Sequence, residues 1–131
     1  MIDLWNTEKK VKSLVLQGHQ DRINSIKIFE NSIFSSSEDK FVKVWDKRSG
    51  DCEINIIGHT KGVTLVDYDH VNNRVYSCSL DKTIKIWDIR KNKEIRTLIG
   101  HSSGVYSITY DQAKIISGSN DNTIRIWNFY N

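Results

Sequence analysis

The sequence predicts an all-β chain assembled from one repeated unit, and three observations support that expectation. Tryptophan stands at Trp5, Trp45, Trp87 and Trp127, in steps of 40, 42 and 40 residues. A Gly-His pair stands at Gly18-His19, Gly58-His59 and Gly100-His101, in steps of 40 and 42. Between each Gly-His and the next Trp the order is constant: a short apolar stretch, a Ser-rich stretch, an Asp, then Trp followed by Asp or Asn. A fixed period near forty residues is the mark of stacked supersecondary units, a solenoid or a propeller.

Each unit divides into short strands. In the first, Ile23, Ile26 and Ile28 open one strand, Ile33 to Ser37 form a second and Phe41 to Trp45 a third. Lys12 to Gln17 read as a strand before the Gly-His, and Cys52 to Ile57 as its equivalent after Trp45-Asp46. Runs of about five residues rich in Val, Ile, Phe and Tyr, separated by polar turns, are the β signature. Proline is absent, so turns fall to Gly, Asn, Asp and Ser, as at Ser49-Gly50 and Asn72-Asn73. The third strand carries one base at a constant place: Lys43, Lys85 and Arg125. It is expected on the pleat face opposite its Ile or Val and Trp neighbours, as part of a solvated strand face.

This residue order resembles the WD40 repeat over nearly the full chain. The resemblance implies WD40 β-propeller blades, four-stranded and antiparallel, with strands a to d running outward from a central axis. Three blades are expected: blade one over about 19–57, blade two over about 59–99, and blade three over about 101–128 with a d strand from about 12–17 of the same or another chain. A four-stranded sheet with two apolar faces is buried only by stacking on neighbours. Closed propellers typically have four to eight blades, so three form an incomplete ring.

The ends of the pattern are uneven. Ile2 to Asn6 reads as a c strand and Lys12 to Gln17 as its d strand, without their a and b strands, while Trp127 to Asn131 ends blade three without a d strand. Two copies together would supply six blades, with each N-terminal d strand completing the other copy's last blade. An excised segment of a longer propeller, closed by blades from another chain, fits the same pattern. Homodimerisation is the favoured expectation, and the place of Ile2 to Asn6 in such a ring is open.

Ser35, Asp39 and Trp45 recur as Ser77, Asp81 and Trp87 and as Ser117, Asp121 and Trp127, with His19, His59 and His101 lying 20 to 22 residues before each Asp. Ser, His and Asp together could suggest a nucleophilic triad. Three copies point to a framework part instead, because an active site is needed once and a blade support once per blade. The resemblance implies that Asp holds the imidazole, the imidazole meets the serine hydroxyl, and the hydroxyl meets the indole N–H. No enzymatic activity is expected. His70 lacks companions at ligand spacing and reads as a turn residue, so no metal or cofactor is expected. No phosphate loop or paired-Cys motif is present. Cys78 reads as a small buried side chain and Cys52 as a d-strand residue, neither of them a reactive thiolate.

Function is then expected in the loops, which the scaffold fixes while leaving their side chains free. The resemblance directs attention to the narrow face around the axis, built from the segment after Gly-His and the residue before the b-c Asp. Those positions are Arg22, Asn24 and Glu38, Gly62, Thr64 and Leu80, and Gly104, Tyr106 and Asn120. The expected binding set is Arg22, Asn24, Glu38, Thr64, Leu80, Tyr106 and Asn120, facing a protein or peptide. The opposite face carries basic c-d turns, Lys47-Arg48 and Arg90-Lys91 with Lys93, and binding of nucleic acid or anionic lipid there is the alternative. The net charge of +3 permits that without arguing for it, and the acids Asp46, Asp51, Asp88 and Glu94 dilute the field. With two thiols, no secretory segment and no apolar run near membrane length, a cytoplasmic or nuclear setting is expected.

Overall fold

The computed structural model describes residues 1–129, and every described regular element is a strand. Strands β3 (Ile23–Phe29), β4 (Ser32–Ser37), β5 (Val42–Asp46) and β6 (Cys52–Ile56) form blade one in that order. Strands β7 (Val63–Asp69), β8 (Arg74–Ser79), β9 (Thr83–Asp88) and β10 (Lys93–Ile99) form blade two. Blade three has β11 (Val105–Tyr110), β12 (Lys114–Ser119) and β13 (Ile124–Asn128), and β1 (Ile2–Asn6) pairs with β2 (Val11–Leu16) as a separate hairpin. All pairings are antiparallel. The described strands thus make two four-stranded sheets, one three-stranded sheet and one hairpin. β2 is paired with β1, and among the described residues no strand lies beside the outer edge of β13.

The turn from b to c shows how sequence sets geometry. Lys40, Lys82 and Asn122, each directly after the network Asp, take φ of 77°, 75° and 66°. Within that turn the Asp39, Asp81 and Asp121 amides donate to the hydroxyls of Ser37, Ser79 and Ser119 at 3.0 to 3.1 Å. The short polar side chain thus holds the backbone where a longer apolar one could not.

The cores lie between blades. Phe34, Val42, Val44 and Ile56 on the downstream face of blade one meet Val63, Val66, Val75 and Trp87 on the upstream face of blade two. Tyr76, Ile84, Ile86 and Leu98 meet Val105 and Ile115 across the next seam. The hairpin joins the stack by the same logic, laying Ile2 and Leu16 on Ile33 and Trp45. Polar contacts stitch the seams too. The Val66 amide donates to Ser25 Oγ at 2.9 Å, Lys27 pairs with Asp67 at 3.2 Å, and the Tyr110 hydroxyl donates to the Tyr68 carbonyl at 2.9 Å.

One expectation is corrected. Lys85 shares a pleat face with Trp87, since residues two apart on a strand point the same way. Its ammonium lies 5.8 Å from the Trp87 ring centroid and donates to Glu94 at 2.9 Å and to Thr97 Oγ1 at 2.8 Å. With 12% of its side chain exposed, Lys85 is part of the blade's packing and not of a solvated face. Cys78 is buried and Cys52 exposed, and burial pushes the Cys78 thiol up to about 12. Among the described residues, no helix is long and apolar enough to cross a membrane.

Candidate functional site

Two constellations compete for a functional role: the repeated His, Ser, Asp and Trp set, and the rim of the narrow face. In blade two, His59 Nδ1 lies 2.7 Å from an Asp81 oxygen, Nε2 lies 2.8 Å from Ser77 Oγ, and the Trp87 indole donates to the same Oγ at 2.8 Å. Blade one repeats this with His19, Asp39, Ser35 and Trp45 at 2.7, 2.6 and 2.8 Å. Blade three does so with His101, Asp121, Ser117 and Trp127 at 2.7, 2.8 and 2.8 Å. Proton inventory fixes the direction of every bond. The ionised carboxylate only accepts, so Nδ1 carries the ring hydrogen and donates to it; Nε2 then offers its lone pair to the serine hydrogen, and the serine oxygen accepts the indole N–H.

The same carboxylate gathers backbone donors. Asp81 accepts from the Thr60 amide at 3.1 Å, the Thr83 amide at 2.9 Å and the Thr83 hydroxyl at 2.6 Å. Burial alone would raise its pKa, but the His59 imidazole and the Thr83 hydroxyl outweigh it and hold the carboxyl well below the usual carboxylate range. Asp121 is lowered by the Thr123 hydroxyl first, which outweighs the opposing effect of burial, with His101 adding to the shift. In blade one Phe41 stands in place of that threonine. Burial there again opposes the shift, while the Gln20 amide and the His19 imidazole keep Asp39 low. Burial lowers His19 from its ordinary value, despite the pull of Asp39.

Chemically the set is closed. Ser35 and Ser77 are 0% exposed and Ser117 1%, and each hydroxyl gives its hydrogen to an imidazole and accepts from an indole, so none is open to a substrate. Each bond adds about 0.5–1.5 kcal/mol net, while orphaning a buried partner costs about 1–3 kcal/mol. The glycine of each Gly-His belongs to the same unit. A Cβ on Gly58 would stand 2.5 Å from Trp87 Cη2, and one on Gly100 2.9 Å from Trp127 Cη2. Glycine suits that place because the edge of the indole, at Cη2, abuts the chain there.

The rim is open. Backbone bonds tie its two contributing segments together in every blade: the Glu38 amide to the Arg22 carbonyl at 2.9 Å, Leu80 to Gly62 at 3.0 Å and Asn120 to Gly104 at 2.9 Å. Arg22, Asn24, Glu38, Thr64, Leu80 and Tyr106 line one hollow of about 290 Å³. Six of the seven rim residues named from the sequence thus meet across three blades; Asn120 is exposed and outside the hollow. Glu38 accepts from Arg22 and from Asn24, both at 3.2 Å. Asn24 also donates to the Val63 carbonyl at 2.9 Å, and the Thr64 hydroxyl donates to the Val105 carbonyl. These two side chains are therefore shared between the rim and the seams below it, a double use that residue type alone does not reveal. Leu80 packs where a Cβ on Gly104 would lie 3.1 Å from its Cδ2, and Tyr106 stands exposed beside it.

On the opposite face the acids of the basic turns are engaged by the turns themselves. Asp46 accepts from the Arg48 and Ser49 amides at 2.6 and 3.1 Å, and Asp88 from those of Arg90 and Lys91 at 3.0 and 3.2 Å. His70, read as a turn residue, is exposed but stacks on Phe29 with ring centroids 4.7 Å apart. Beside it, buried Asp69 caps the β7-β8 turn, accepting from the Val71 amide at 3.0 Å and from the Asn72 side chain at 2.7 Å. That cap went unread in the sequence, where Asp69 looks like any turn acid.

Comparison with known proteins agrees with this geometry. The chain is 38% identical over 58 residues to a WD repeat-containing protein 89 homolog of Dictyostelium discoideum, covering 43% of this chain and 16% of that protein. It is 38% identical over 60 residues to F-box/WD repeat-containing protein 7 of Drosophila melanogaster, covering 45% and 4%. A third relative, nuclear distribution protein PAC1-2 of Uncinocarpus reesii, is 42% identical over 55 residues, covering 40% and 12%. The matches to these relatives thus span only 4% to 16% of their length. The sequence profile of the WD domain, G-beta repeat, matches residues 9–46, 50–88 and 92–128, one copy for each blade. With three repeats in register and the network of each in place, the chain belongs to the WD40 repeat family.

Proposed function

We propose that the chain is a non-enzymatic scaffold for protein interaction, and that the rim hollow holds an extended segment of a protein partner. WD40 domains generally bind protein partners, and the observation that supports the finer reading is the convergence of six rim side chains in one open hollow. Its chemistry is mixed in the way a peptide contact needs. Arg22 and Glu38 offer a charged pair at the mouth, while Leu80 and Tyr106 offer apolar and aromatic surface. The sealed serines support a role without catalysis. A cytoplasmic or nuclear setting suits the two free thiols.

The same reading includes how the ring is closed. Two copies supply six blades, with β2 of each serving as the outermost strand of the other's blade three. The support is the bare apolar face of blade three at one end of the stack and the half-covered face of blade one at the other. A second reading, closure by blades from another chain, is favoured by the greater length of the relatives.

Peptide display against the purified chain tests the rim. Selected peptides are expected to lose at least tenfold in affinity to Leu80→Ala and Tyr106→Ala, and nothing to Lys47→Ala or Arg48→Ala on the opposite face. Ligands that respond to the basic-turn substitutions instead, and whose binding falls steeply with salt, would support the nucleic-acid or anionic-lipid alternative.

A further inference from the structure

We infer that β1 is a stand-in: it holds, on β2, the place that β13 of a second copy takes when two copies close a ring. This rests on the homodimer reading above. The first ground is register. On β2, Ile2 faces Leu16, Asp3 faces Val15 and Leu4 faces Leu14; after an irregularity, Trp5 faces Lys12. In complete blade two, Ile84 faces Leu98, Lys85 faces Thr97 and Ile86 faces Arg96; after an irregularity at the same place, Trp87 faces Glu94. The hairpin is therefore the outer half of a blade, and β1 is its c strand. Ile124-Arg125-Ile126-Trp127-Asn128 matches Ile2-Asp3-Leu4-Trp5-Asn6 position by position, with Ile, Trp and Asn identical.

The second ground is that two sheet edges, one on β13 and one on β1, are unpaired among the described residues. Among the described residues no strand pairs with the outer edge of β13, and none with the inner edge of β1. Trp5, with no b strand to offer a serine, is exposed, while Trp45 and Trp87 are buried. The interface that the hairpin makes with blade one also stops halfway across the sheet. Ile2 and Leu16 cover Ile33 and Trp45, and Ile26 and Ile28 beyond them lie bare.

Blade three carries what that interface needs to continue. Ile116, Ile124 and Ile126 occupy the positions of Phe34, Val42 and Val44, which form the downstream side of the first seam. Ile26, Ile33 and Trp45 occupy those of Val66, Val75 and Trp87, which form its upstream side. The polar stitch is repeated as well. Ser25 Oγ takes the Val66 amide at 2.9 Å; Ser107 stands where Ser25 does and the Ile26 amide where Val66 does. Seating β13 of one copy on β2 of the other thus buries the bare isoleucines of both ends and releases β1.

Charge sets the threshold for the exchange. Asp3 pairs with Lys12 at 2.9 Å, whereas β13 brings Arg125 to the place of Asp3. The single chain is favoured by an ion pair that the dimer gives up. Both side chains of that pair are partly exposed, so salt weakens it and screens the replacement repulsion, and dimer increases with salt.

Light scattering of the full chain over a concentration series, with a disulfide trap, tests this. The trap is Val15→Cys with Arg125→Cys in a Cys52→Ser background, and it is expected to close between copies into a covalent dimer. Asp3→Lys and Arg125→Asp are each expected to strengthen dimerisation several-fold, the first by freeing β1 and the second by giving β13 the pair with Lys12. A dimer that the trap does not capture and that neither charge change shifts overturns the exchange and leaves the homodimer standing. A chain of single mass at every concentration, in all variants, overturns both.

Discussion

Tyr76, Ile84 and Ile86 on blade two are 0%, 0% and 2% exposed, whereas Ile116, Ile124 and Ile126, at the same places on blade three, are 37%, 76% and 61% exposed. Register and local pattern are alike, so the difference comes from the surroundings: blade two has a blade on each side and β10 beside β9, whereas blade three has one neighbouring blade and, among the described residues, no strand beyond β13. The upstream end repeats the lesson. Val66 is 3% exposed and its counterpart Ile26 48%, because the half blade packed on blade one covers Ile33 and Trp45 and stops short of Ile26. A WD40 blade writes its own strands and turns, but burial of its apolar faces is a property of the stack.

Substitutions at matched sites break or sharpen this contrast. Ile84→Ala should cost about 2–5 kcal/mol through lost burial and the cavity left behind. Ile124→Ala, on the bare face, should stay within about 0.5 kcal/mol. Urea unfolding of each variant, at dilution where the chain is single, gives both values. Equal costs would mean that the blade-three face is covered in solution.

Ser77→Ala should follow at about 1–3 kcal/mol, because it orphans the His59 imidazole and the Trp87 indole in a buried site. Ser117→Ala should cost less, since Trp127 is only partly buried and water can take its indole N–H. Thermal melts of the two variants rank them, and the reverse order would sink the account of the network.

Acid should act through the same networks, in two steps. Burial holds His19 below its ordinary value, so the unfolded chain takes the proton first. That contribution is full above the unfolded pKa of about 6.5 and is lost as pH falls through the lower folded value. Asp39, Asp81 and Asp121, all lowered, contribute stability that is full above about pH 4 and lost as pH falls through their folded values. Melting temperature should therefore decline first below about 6.5 and more steeply below about 4. His19→Gln should flatten the first decline, and an unchanged first decline would remove His19 as its source.

The smallest effect is expected at the b-c turn. Lys82 takes a φ of 75°, where Asn is better accommodated, so Lys82→Asn should raise stability by a few tenths of a kcal/mol. A loss detected in urea unfolding would show that the Lys82 side chain has a role of its own.

Much of this was legible in the sequence, because a repeat repeats its evidence. The Gly-His, Ser, Asp and Trp positions each occur in three blades, and one geometry satisfied every copy. Six of the seven rim residues also came together, since backbone bonds fix the two segments that carry them. What was not legible depends on the side chain across the strand or the seam. Lys85 reads as part of a solvated strand face yet is held among Glu94, Thr97 and Trp87, and Thr64 reads as a rim residue while its hydroxyl is committed to the Val105 carbonyl. That the end faces lie bare, as at Ile26 and Ile124, follows from three blades not closing a ring.

Native-state hydrogen exchange, resolved by residue, tests the contrast most directly. The amides of Val75 to Ser79 should exchange only through global unfolding, while those of Lys114 to Ser119 and of the β1-β2 hairpin should exchange faster through local opening. Uniform protection across all three would contradict the claim that stacking, and not the blade's own sequence, secures each sheet.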